Sequence, residues 1–127
     1  MKACIKAVHC ASLEMLGINY EDYSPSEPDN FAIHDLEIEI GPLNGEGQEI
    51  FNFQILTPKF LLSNMLKHKP AIFPRGLIIV KEYDYKMIYS FIEDYISKIE
   101  ESDWRTIAMK ISRIGRWEFE DYKPFSL

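Results

Sequence analysis

Asp103-Trp104-Arg105-Thr106-Ile107-Ala108-Met109-Lys110-Ile111-Ser112-Arg113-Ile114-Gly115-Arg116-Trp117-Glu118-Phe119-Glu120-Asp121-Tyr122 changes its hydrophobic period once, and that change decides how the chain is assembled. Asp103 suits a helix N-cap, because its carboxylate accepts hydrogen bonds from the free N–H groups of a first turn. Trp104, Ile107, Ala108, Ile111 and Ile114 then recur at helical spacing and form one apolar stripe. Gly115 follows, where a residue without a Cβ can turn left-handed and end the helix. Beyond it Trp117 and Phe119 alternate with Glu118 and Glu120, the period of a half-buried strand. The expectation is a helix that turns sharply and returns the chain to a sheet. Trp104, Ile107, Ile111, Trp117 and Phe119 should be largely buried against that sheet.

The sheet itself is written earlier. Residues 2–10 predict a first strand, with Ala3, Ile5, Ala7 and His9 on one face and Cys4, Lys6, Val8 and Cys10 on the other. Neither face is wholly polar, which predicts a central strand or one covered on both sides. Residues 11–30 hold no sustained period; Pro25 and Pro28 remove backbone donors, and Tyr20 and Tyr23 would pin this crossover down. Residues 31–41 and 48–56 read as a hairpin. Leu36, Ile38 and Ile40 alternate with acids, Phe51, Phe53 and Ile55 alternate with amides, and the segment between them is rich in glycine. One apolar and one polar face mark an antiparallel sheet covered on one side.

Thr57-Pro58 predicts a helix start, carrying Phe60, Leu61, Met65 and Leu66 and stopping before Pro70. Leu77-Ile78-Ile79-Val80 is a short continuous apolar run, read as a strand buried on both faces or central in the sheet. Asp84 caps a second long helix with the stripe Ile88, Ile92, Tyr95, Ile96 and Ile99. Glu100-Glu101-Ser102 ends that helix just before Asp103, so the last two helices should pair on one sheet face. The expected class is α+β, a mainly antiparallel four- to five-stranded sheet with three helices packed on it. Residues 1–127 should form one domain.

Composition sets the function classes aside. The chain has 127 residues, of which 46% are hydrophobic and 27% charged, enough for one real core. No apolar run approaches the ~20 residues that cross a bilayer, and the first residues carry no apolar leader, so a cytoplasmic protein is expected. The net charge of −6 opposes nucleic acid and anionic membranes and permits a basic protein partner. Cys4 and Cys10 would lie apart along one strand, so reduced thiols are expected.

Catalytic constellations are scarce. There is no Gly-rich phosphate loop and no nucleophile elbow. His9 and Cys10 would project to opposite strand faces and could not pair as base and nucleophile. Cys4, Cys10 and a distant His lack zinc-site spacing. Glu37 and Glu39 read as a solvated β face, and Tyr85, Tyr89 and Tyr95 as core-edge packing. No enzyme, metal or cofactor is expected.

Ser112 to Tyr122 resembles the closing motif of immunity protein family eight of bacterial polymorphic toxin systems. Further segments are similar to that family: Met1-Lys2-Ala3 with Ile5-Lys6; Tyr23-Ser24-Pro25 with Pro28 and Asn30-Phe31; Phe51 and Phe53 before Thr57-Pro58-Lys59; and Glu82-Tyr83-Asp84-Tyr85. The resemblance implies a protein that binds a cognate toxin domain and neutralises it without catalysis. The alternative is a small-molecule or peptide-binding regulatory module, which a deep polar pocket would favour. For the partner-binding surface the sequence points to the acidic loop Tyr20, Glu21, Asp22, Tyr23, Glu27 and Asp29, joined by Glu118 and Glu120. Long irregular loops shape themselves to partners, and this one offers carboxylates with two tyrosines. Oligomeric state is not legible in the pattern.

Overall fold

Two long strands pair as the central hairpin, β2 (Ala32–Pro42) and β3 (Glu49–Leu56), with Leu36 opposite Phe53 and Ile38 opposite Phe51. The computed structural model describes residues 1–120, so Asp121 and Tyr122 of the closing motif lie outside the described residues. β1 (Ala3–Cys10) pairs antiparallel with β2 on the far side from β3. The other side of β3 is shared end to end. β4 (Leu77–Ile79) runs parallel to Gln54–Leu56, and β5 (Arg116–Trp117) runs antiparallel to Phe51 and Asn52. The class is α+β, with five strands that are antiparallel at every pairing except β3 with β4.

The helices follow their signals. A one-turn α1 (Ala11–Glu14) leaves β1 directly. Thr57 caps α2, which covers residues 58–68, widens to a π-helix at Leu61–Met65 and returns to α-helix at Leu66–His68. Asp84 accepts from the Met87 N–H at the start of α3 (Tyr85–Ser97), and Asp103 accepts from Thr106 at the start of α4 (Trp104–Ile111). Ile88, Ile92 and Ile96 of α3 and Ile107, Ala108 and Ile111 of α4 are buried in one cluster with Leu36, Ile38, Ile40, Phe51, Phe53 and Ile55. Each such large side chain contributes about 1.5–3 kcal/mol by leaving water. The opposite sheet face carries Ala7, His9, Glu37, Glu39, Ile50 and Asn52 by register.

Several expectations are corrected. β1 is an edge strand, not central. A bulge between Ile5 and Ala7 resets its alternation, so Ile5 and Val8 both pack on the core and His9 faces away. β4 is also an edge: Ile78 is buried but Ile79 is 50% exposed. An apolar run has no period, so it cannot report a strand whose second face is open. β5 ends at Trp117, where the Glu120 N–H turns back to the Trp117 carbonyl at 3.0 Å. Strand alternation therefore stops, Trp117 is only half-buried, and Phe119 is 42% exposed. Trp104 is half-buried as well.

Gly115 is needed for a reason other than handedness. It is not among the glycines with positive φ; a Cβ built there would lie 2.5 Å from Phe53 Cζ. The bare backbone is what lets Phe53 fill the core beneath it. Glu49 is the other unforeseen junction. Its Oε1 accepts from Trp104 Nε1 at 2.7 Å and its Oε2 from Trp117 Nε1, joining the start of β3 to α4 and β5.

Candidate partner-binding surface

Tyr83 holds the acidic loop to the body of the protein. Its backbone N–H donates to the Pro28 carbonyl at 2.8 Å and its hydroxyl to the Tyr20 carbonyl at 3.0 Å. Its ring meets Tyr23 at 5.3 Å and Phe31 at 5.1 Å, both edge to face. Tyr20, in a short 3-10 turn (Tyr20–Asp22), is 6% exposed and packs edge-on against Tyr85 at 5.1 Å. Burial pushes the Tyr20 and Tyr83 hydroxyls far above the ordinary tyrosine value. Both tyrosines of the loop therefore serve as anchors into the fold. Glu21, Asp22, Glu27 and Asp29 stay exposed, with Glu27 accepting from Asn30 Nδ2 at 3.4 Å.

Glu118 and Glu120 stand elsewhere. Glu118 Oε1 accepts from the Ile50 N–H at 3.1 Å, beside β5. Glu120 takes a bidentate grip from Arg75, which holds its carboxyl below the ordinary glutamate value. The Tyr20–Asp22 turn of the loop lies beside β1, and these two glutamates lie at the β5 edge. Three strand spacings, roughly 14 Å, separate the two edges. The structure does not bring the two groups together.

The β1 edge gathers groups that sequence spacing did not connect. A cleft of about 420 Å³ runs along its outer side, lined on one flank by Tyr20, Glu21, Tyr85 and Tyr89 and on the other by His9 and Glu14. His9 lies between two carboxylates, Nδ1 at 3.4 Å from Glu14 and Nε2 at 3.4 Å from Glu39. Glu14 went unforeseen because residues 11–30 show no period, and one turn of helix is too short to create one.

Other groups resolve into structure. Cys10 Sγ donates to Asp35 at 3.2 Å, and Asp35 also accepts from the Ser12 N–H at 2.7 Å and hydroxyl at 2.9 Å. Burial, with Asp35 beside it, pushes the Cys10 thiol up, away from the reactive thiolate. Both cysteines are free. His34 Nδ1 meets Gln54 Oε1 at 2.8 Å, its ring 5.8 Å from Phe60. A larger, mostly apolar groove of about 1070 Å³ lies between β4 and the α3–α4 pair, lined by Ile79, Phe91, Tyr95 and Ile114. Three of its rim cations already hold acids: Lys98 with Asp94, Lys110 with Glu101, Arg75 with Glu120. Among the described residues, no group of three or more His, Cys, Asp or Glu is placed to hold a metal ion, and no helix is long and apolar enough to cross a membrane.

The family model described as Immunity protein 8 matches residues 5–122. No curated protein and no solved structure matches the chain.

Proposed function

The chain belongs to the immunity protein 8 family, which points to a toxin-neutralising role, and we propose that it binds one cognate toxin domain and blocks it by contact, without turnover. The observation that carries this reading is the reach of the match, residues 5–122 of a 127-residue chain. It acts in the bacterial cytoplasm, where the toxin would otherwise work. The net charge of −6 suits a basic toxin, because complementary charge speeds encounter.

The contact surface in this reading is the loop, through the exposed carboxylates of Glu21, Asp22, Glu27 and Asp29. Tyr20 and Tyr23 hold that loop in shape. Glu118, exposed beside β5, and Glu120, gripped by Arg75, form the second part of this proposed surface, at the β5 edge.

Co-expression with the toxin domain encoded beside it tests the proposal. The tagged chain should co-purify with that domain and restore growth. Glu21→Lys with Asp22→Lys should slow association and weaken its salt dependence, since rim charges act on the on-rate. A folded double variant that associates at the wild-type rate would remove the loop from the contact surface.

A further inference from the structure

We infer that the cleft along the outer edge of β1 receives an arginine side chain of the protein partner, held between Glu14 and Glu21 and stacked against Tyr85 and Tyr89. The inference rests on the toxin-binding reading and gives its surface a specific anchor. At about 420 Å³ the cleft has room for one long side chain and its neighbours. Its charged groups favour a cation. Glu14 and Glu21 are exposed carboxylates of its lining, Glu14 also lying 3.4 Å from His9 Nδ1, and Lys6, which lines the cleft too, donates to the Gly45 carbonyl at 2.9 Å.

The walls favour guanidinium over ammonium. Tyr85 and Tyr89 present half-buried rings 6.1 Å apart, and a planar guanidinium stacks on such faces while still pairing with a carboxylate in two bonds. Met15 and Leu16, 87% and 73% exposed, follow Glu14 in the chain and supply apolar area next to it. Aromatic and apolar contact around a desolvated charge pair is the usual composition of a binding hot spot. Insertion of a side chain is favoured over addition of a partner strand. The bulge between Ile5 and Ala7, with Lys6 inside it, interrupts the edge that a strand would have to follow.

Two titrations test this. The amide spectrum of the ¹⁵N-labelled chain is followed with acetyl-Gly-Arg-Gly-amide and with the citrulline peptide, which has the same shape without the charge. Saturable shifts should gather at residues 5–9, Glu21, Tyr85 and Tyr89 for arginine and be absent for citrulline. Glu14→Gln with Glu21→Gln should weaken the arginine peptide roughly tenfold, as loss of charge-assisted bonds does. Equal response to citrulline, or shifts spread over every acidic surface, would overturn the inference. In complex with the toxin domain, the same double variant should raise Kd by roughly tenfold or more, mainly through faster dissociation. An unchanged Kd sinks the cleft and leaves toxin binding standing. If the wild-type chain binds no such domain, the toxin reading fails, and the peptide titration still decides the cleft.

Discussion

Gly115 and Phe53 show how one residue type can be required for a reason that spacing does not reveal. A glycine after a helical stripe suggested a left-handed cap, whereas the constraint is the Phe53 ring against its Cα. Gly115→Ala should therefore cost about 1–3 kcal/mol by overpacking, measured by denaturant unfolding. Phe53→Leu in the same chain should recover part of that cost; strictly additive losses would show that the two do not touch. Glu120 makes a second, pH-dependent prediction. Its folded pKa lies below the ordinary 4.5 because Arg75 grips it, so its contribution is present above that value and is lost as pH falls through the folded pKa. As pH falls below 4.5, wild type should lose stability more steeply than Glu120→Gln. Parallel curves would mean that the Arg75 pair contributes nothing in solution. The same residues mark where sequence reading stopped. Glu49, 55 and 68 residues away from the tryptophans it holds, belongs to no local pattern.

The central hairpin and the long helices were readable because each has a sustained period and its own cap. Asp84 is an example: Asp84→Ala should remove the bond to the Met87 N–H and cost about 1 kcal/mol, seen as a lower thermal midpoint. An unchanged midpoint would show that tertiary packing alone fixes the start of α3. The edge strands were misread for a shared physical reason. A bulge reset the faces of β1, a three-residue β4 showed no alternation, and β5 ended before alternation could apply. The acidic loop was correctly seen as a crossover pinned by tyrosines, but its clamp, Tyr83, lies far along the chain. Burial raises the Tyr20 and Tyr83 hydroxyls, so the fold is favoured by their neutral forms below the ordinary value of 10.0 and loses that support as pH rises above it. Ultraviolet titration should show exposed tyrosines ionising first and these two only as the fold opens. A single uniform transition would contradict the clamp.

Taken whole, the molecule buries one face of its sheet under α3 and α4 and leaves the other only partly covered. Family membership points to a toxin-neutralising role, and the proposal of a basic partner rests on the net charge of −6. The surface could not be read fully from sequence, since the cleft gathers residues from β1, α1, the loop and α3. Toxin activity measured against increasing amounts of this protein tests the central claim most directly. Neutralisation by contact predicts that activity falls in proportion to protein added, reaches zero at a fixed stoichiometric amount, and returns when the complex is dissociated. Complete loss of activity at a small fraction of that amount, deepening with time, would mean that the chain turns over the toxin or its substrate, and would contradict the account.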